Sequence, residues 1–184
     1  MLIAFTGGAR SGKSTAASSA AASLDAAVTF IATAEAGDDE MVERIELHRA
    51  ARPAGWTTIE APIDVAAAVG RVGAEATIII DCLSIWVSNR MLEGGAGAGS
   101  VDAARAGEIT VEARELVACL HGREGVSIVV TNEVGSGVVP ATPLGRAYRD
   151  VLGSVNQIVV GAADRAYLVV AGRLLELSGP EGGA

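Results

Sequence analysis

The sequence predicts an α/β fold, a mostly parallel sheet covered by helices on both faces and closed at one edge by an antiparallel hairpin. Three observations carry this. Strand-sized runs recur with helical stretches between most of them, at Ile3 to Thr6, Val28 to Ala32, Thr77 to Asp81, Ser127 to Thr131 and Tyr167 to Ala171. These β-branched runs lack polar alternation, as expected of strands buried on both faces. The last run meets Gly172-Arg173 and then Leu174 to Leu177, which reads as a two-residue turn and a returning edge strand.

The first strand leads directly into Gly7-Gly8-Ala9-Arg10-Ser11-Gly12-Lys13-Ser14, a complete G-x-x-x-x-G-K-S phosphate loop. Its glycines let backbone N–H groups turn inward around phosphate oxygens, and the following helix adds the positive end of its dipole. Lys13, the only lysine of the chain, reaches the β/γ phosphates, and Ser14 can hold Mg²⁺. The fold class is therefore a P-loop NTPase-type, three-layer α/β/α arrangement. The run Ile78-Ile79-Ile80-Asp81 supplies the acidic residue expected at the end of a buried strand, so Asp81 joins Ser14 as a candidate metal residue.

The next helix falls between Asp38 and Trp56. Asp38-Asp39-Glu40 suits a helix N-terminus, and Pro53-Ala54-Gly55 stops it. Met41, Ile45 and His48 share one face, with Arg44, Arg49 and Arg52 around them. The spacing alone favours a half-buried packing histidine. Phosphates gathered by the arginines would instead let a neutral imidazole attack an α-phosphorus and hold a nucleotidyl group. Between Glu93 and Ser100 a Gly/Ala-rich stretch reads as an exposed loop, and the tail from about Ser178 reads as loose.

The 184 residues make one domain, 1–184. A net charge of −8 and a pI near 4.7, without a Lys/Arg cluster, oppose nucleic-acid binding. No run is long enough to span a membrane and no export signal is seen, so the expected location is cytoplasmic. Cys82 and Cys119 read as small apolar fillers in a reducing compartment. With Lys13 as the only lysine, the guanine-reading Asn-Lys-x-Asp of a regulatory GTPase cannot occur. A small-molecule kinase fits the size better.

Several stretches occur together in one order: Thr6 to Ser14; Ile31-Ala32-Thr33; Asp38 to Met41 with Arg44-Ile45; His48 to Pro53 ending at Trp56; Asp81-Cys82-Leu83 and Asn89; Val130 to Pro140; Arg146 to Asp150, Gly153 and Asn156-Gln157. Over nearly the whole chain this resembles the bifunctional adenosylcobinamide kinase/adenosylcobinamide-phosphate guanylyltransferases of cobalamin biosynthesis. The resemblance implies two reactions. ATP or GTP phosphorylates the aminopropanol hydroxyl of adenosylcobinamide; GTP then gives its guanylyl group to His48, pyrophosphate leaves, and adenosylcobinamide phosphate takes the group to form adenosylcobinamide-GDP. It implies catalytic roles for His48 and Lys13. It also implies nucleotide binding by Gly7, Gly8, Ala9, Arg10, Ser11, Gly12, Lys13 and Ser14, by Thr33, Ala34 and Glu35, by Ala51, Arg52, Pro53 and Ala54, and by Glu60 and Asp81. A corrinoid substrate and a homotrimer follow from the same resemblance. Glu133 reads equally as a substrate or metal-water positioner and as a turn-fixing acid. Asp81 departs from the Glu common in the family. The alternative is a monofunctional P-loop kinase in which His48 is structural.

Overall fold

The first strand is apolar on both faces because it runs through the middle of the molecule. In the computed structural model, which describes residues 1–35, 37, 39–50, 52–93 and 103–179 without the side chains of 39–41, 44 and 48, seven strands form one sheet. They are β1 (Leu2–Thr6), β2 (Val28–Ala32), β3 (Thr57–Glu60), β4 (Thr77–Asp81), β5 (Ser127–Val130), β6 (Arg165–Val170) and β7 (Arg173–Leu177). Their order is β3-β2-β4-β5-β1-β6-β7, and every pairing is parallel except β6 with β7. The phosphate-loop strand and the strand ending in Asp81 are thus separated by β5.

Alternate residues of the central strands serve two cores. Ile78 and Ile80 join Leu2, Ile31 and Val129 under α3 (Val65–Gly70), α4 (Leu83–Leu92), α5 (Ala103–His121) and α6 (Pro143–Gly161). Ile79 turns the other way, joining Phe5, Phe30, Ile128 and Val130 under Ala17 and Ala21 of α1 (Lys13–Ala22). Each such fully buried side chain contributes roughly 1.5–3 kcal/mol of transfer free energy. Ala17 and Ala21 of α1 pack against the sheet, and the loop of residues 7–12 joins the end of β1 directly to the N-terminus of that helix. The remaining helix, α2 (Asp39–Ala50), follows β2.

Three sequence expectations shift. β3 was not foreseen: Thr57–Glu60 has four residues at the sheet edge, only partly buried, so it carries no apolar run to betray it. The hairpin turn is Ala171-Gly172, both with positive φ (49° and 76°), one residue earlier than read. Cys82 is buried as expected, but Cys119 is exposed and fills no core. The glycine-rich stretch 94–100 and residues 180–184 of the tail lie outside the described residues.

Candidate active site

The phosphate loop is held by backbone approaches that exclude side chains. Gly7 has φ +150°, and a Cβ there would lie 2.3 Å from the Val169 carbonyl oxygen of β6. Gly12 has φ +100° and caps α1. A Cβ on it would lie 3.3 Å from Gly172 Cα, at the hairpin turn. The Gly172 N–H donates to the Ser11 carbonyl at 2.8 Å, and the Ser11 N–H to the Gly8 carbonyl at 3.3 Å. The β6–β7 turn therefore braces the loop from behind.

Lys13 is buried, and its ammonium donates to the Gly8 carbonyl at 2.7 Å. Burial pushes its pKa down, against the opposing pull of Cys82 and Asp81. The lysine is thus held on its own loop. Ser11 Oγ is buried and has no partner among the described residues.

Asp81 ends β4, and the peptide bond from it to Cys82 is cis. The register sets Ala32 opposite Asp81 on one side and opposite Glu60 on the other, so both carboxylates reach the same edge of the sheet. Thr33 holds the turn after Asp81. Its N–H donates to the Asp81 carbonyl at 3.3 Å, its hydroxyl donates to the Cys82 carbonyl at 2.8 Å, and it accepts the Cys82 N–H at 2.9 Å. Asn89 Nδ2 in turn donates to the Thr33 carbonyl at 2.8 Å.

The opposite side of the site comes from α2 and the segment after it. The Arg52 guanidinium lies 3.6 Å from the centroid of the Phe30 ring, and its Nη1 donates to Thr58 Oγ1 at 3.1 Å. Its Nε is buried and has no partner among the described residues. Burial lowers the Arg52 pKa; Asp81 opposes this, Arg49 adds to it, and Glu60 opposes it again. The site is therefore electrostatically mixed, with Arg10, Arg49, Arg52 and Lys13 facing the Glu60 and Asp81 carboxylates around one opening.

These pieces enclose a cleft of about 810 Å³. Of the predicted residues, Ala9, Arg10, Ser11, Gly12, Lys13 and Ser14 line it together with Ala34, Arg52, Glu60 and Asp81. Gly7, Gly8, Glu35, Pro53 and Ala54 are not part of that lining, and Thr33 is fully buried behind it. Ala51 and the side chain of His48 lie outside the described residues; the backbone of His48 belongs to α2, between cleft-lining Ile45 and Arg49. Sequence reasoning missed Phe30, Thr58 and Asn132, which also line the cleft. The signal for Asn132 is its place two residues after the apolar strand β5, at the end of the sheet that carries the phosphate loop. The Glu133 carboxylate accepts from the backbone N–H groups of Gly135 and Ser136 at 2.7 and 3.2 Å, the geometry of a turn-fixing acid.

Residues 3–177 match the family described as cobinamide kinase / cobinamide phosphate guanyltransferase. The chain belongs to that family. It is 42% identical over 175 residues to the bifunctional adenosylcobalamin biosynthesis protein CobP of Pseudomonas aeruginosa, covering 94% of this chain and 95% of the relative. It is 36% identical over 179 residues to the bifunctional adenosylcobalamin biosynthesis protein CobU of Escherichia coli, covering 94% and 97%. Among solved structures, an ATPase from a type III secretion system of pathogenic bacteria aligns with a TM-score of 0.58 at 12% identity. It covers 91% of this chain and 50% of that one. That likeness supports the P-loop α/β fold and nothing finer. As a member of the family the chain is an enzyme of cobalamin biosynthesis with kinase and guanylyltransferase activity. Among the described residues, no helix is long and apolar enough to cross a membrane.

Proposed function

We propose that this single cleft carries both reactions: phosphorylation of the aminopropanol hydroxyl of adenosylcobinamide by ATP or GTP, then guanylyl transfer through His48. The observation that supports it most directly is the placement of α2. Ile45 and Arg49 line the same cleft as the phosphate loop, and residue 48 falls between them on the helix. A nucleoside triphosphate seated with its β/γ phosphates on Lys13 and the loop amides runs its α-phosphate toward that side.

In the kinase step the loop amides and Lys13 stabilise charge on the transferred and leaving phosphates. In the second step a neutral imidazole nitrogen of His48 forms a bond to the α-phosphorus of GTP. The bond from that phosphorus to the oxygen bridging the β-phosphate breaks, and pyrophosphate leaves with the electron pair. A phosphate oxygen of adenosylcobinamide phosphate then displaces the imidazole, giving adenosylcobinamide-GDP. Arg49 and Arg52 offset charge on the α-phosphate.

The donor set also fits Mg²⁺, which takes one or two carboxylates and completes its shell with phosphate and water oxygens. Ser14 Oγ and the Asp81 carboxylate, both lining the cleft, would hold it. When bound, the ion neutralises phosphate charge. The same reading includes a trimeric assembly, supported by family resemblance alone, and the cytoplasmic setting expected from the sequence.

The test is covalent trapping. Protein incubated with Mg²⁺ and GTP labelled at the α-phosphate is denatured in alkali, which spares a phosphoramidate, alongside His48→Ala. Label that survives alkali, is lost in acid and is absent from the variant supports the reading. Unlabelled protein that still binds GTP and phosphorylates cobinamide would make this a monofunctional kinase with a structural histidine.

A further inference from the structure

The chain leaving β5 is the part of the cleft to which neither reaction has yet assigned a task. β5 lies between β1 and β4, and Val130 is in register with Phe5 on one side and Asp81 on the other. The residues that follow emerge midway between the phosphate loop and Asp81. The Thr131 N–H donates to the Phe5 carbonyl and the Glu133 N–H to the Gly7 carbonyl, each at 3.0 Å. The backbone thus continues alongside β1, and its alternation sends Thr131 and Asn132 to opposite sides. Thr131 is fully buried, its hydroxyl donating to Asn156 Oδ1 at 2.6 Å. Asn132 lines the cleft.

Asn132 is held firmly for a cleft-lining side chain. Its Nδ2 donates to Ser84 Oγ at 3.0 Å, and that hydroxyl also meets Cys82 Sγ at 2.9 Å. Its own carbonyl accepts from Asn156 Nδ2 at 2.8 Å, and Tyr148 Oη donates to the Ser84 carbonyl at 3.1 Å. An amide has two donor hydrogens and an acceptor oxygen. Ser84 uses one hydrogen; among the described residues the other hydrogen and Oδ1 have no partner.

Resting on the kinase reading above, we infer that Asn132 is a catalytic residue of phosphoryl transfer, donating its remaining amide N–H to a γ-phosphoryl oxygen and accepting from the incoming hydroxyl through Oδ1. A neutral amide suits both tasks, because a carboxylate there would face phosphate oxygens. In the step it serves, the aminopropanol oxygen forms a bond to the γ-phosphorus, and the bond from that phosphorus to the β–γ bridging oxygen breaks. The nucleoside diphosphate leaves with the electron pair, and the hydroxyl proton passes to a phosphoryl oxygen and on to solvent. Guanylyl transfer breaks a bond two phosphorus atoms closer to the ribose and is served from α2. Asn132 therefore distinguishes the two reactions of one cleft.

The experiment measures two things on the same preparations of wild type, Asn132→Ala and the near-isosteric Asn132→Asp: single-turnover phosphorylation of cobinamide by ATP, and alkali-stable label from α-labelled GTP. The expected result is a fall of roughly 10²-fold in the phosphorylation rate of both variants. ATP affinity and the rate of labelling stay within about threefold of wild type, as for a group that acts in one transition state. Undiminished phosphorylation by Asn132→Ala, or equal loss of both reactions, overturns the assignment. If wild type itself does not phosphorylate cobinamide, the kinase reading fails instead, and the two failures are told apart by that control.

Discussion

One wall of the cleft grows out of a buried strand, and the other is a helix that shows solvent part of its apolar surface. β1 is buried along its whole length, whereas Val42 and Leu47 of α2 are 39% and 62% exposed. The phosphate wall is fixed by backbone approaching backbone, at Gly7 against Val169 and Gly12 against Gly172. The helical wall is anchored near its end by side chains, with Arg52 resting on Phe30 and bonding Thr58. A backbone contact has no smaller version of itself, so changes to the first wall should act almost as switches. Side-chain contacts can be trimmed, so changes to the second should be graded.

Lys13→Met gives the largest expected effect. It keeps most of the buried stem and removes only the ammonium, so the fold should persist while both kinase and guanylyl-transfer rates fall by about 10²- to 10³-fold. Either activity staying within tenfold of wild type would detach that reaction from the phosphate wall. Next is Gly7→Ala, whose Cβ would collide with the Val169 carbonyl. It should lower stability by about 1–3 kcal/mol, read by denaturant unfolding. A neutral result would show that β6 gives way and that the backbone contact is not what fixes this wall.

On the helical side the effect should be smaller and should depend on shape as well as charge. Arg52→Ala removes both the stack on Phe30 and the bond to Thr58, and GTP affinity should fall roughly tenfold, as for loss of a partly desolvated cation–π contact and a charged hydrogen bond. Arg52→Lys should recover little of it, because an ammonium reproduces neither the planar stack nor the fork of donors. Full rescue by lysine, measured as GTP affinity, would reduce Arg52 to a point charge and erase the contrast between the walls.

The same contrast explains what could be read in the sequence. The phosphate wall was legible residue by residue because its chemistry is contiguous: strand, glycines, Lys13 and Ser14 follow one another. The central strands were legible because burial on both faces leaves unbroken apolar runs such as Ile78 to Ile80. The edge strand β3, partly exposed, left no such run. The helical wall depends on Arg52 meeting Phe30 and Thr58 on two different strands, and no spacing along the chain shows that. The nucleotide contact at Thr33 came from family resemblance, and no spacing shows that its hydroxyl bonds both backbone groups of Cys82. Glu133 and Asn132 are neighbours in sequence with opposite destinations, Asn132 lining the cleft and Glu133 fixing the turn that follows.

The smallest expected effect concerns the loop that continues the phosphate wall beyond Asn132. Burial alone would raise the pKa of Glu133, but the hydrogen bonds from Gly135 and Ser136 outweigh it and hold the carboxyl below its ordinary value of 4.5. Because the folded protein then prefers the ionised form more than the unfolded chain does, this contribution is complete above the ordinary value. It is lost as pH falls through the lower folded one. Glu133→Gln should therefore melt slightly below wild type at neutral pH, and the gap should close in acid, where wild type also carries a neutral side chain. The carboxylate is largely solvated, which keeps the difference small. A gap that stays constant with pH would mean that the shape of the side chain, rather than its charge, orders Gly135 and Ser136. The loop beside Asn132 would then be held, like the helical wall, by packing that can be trimmed.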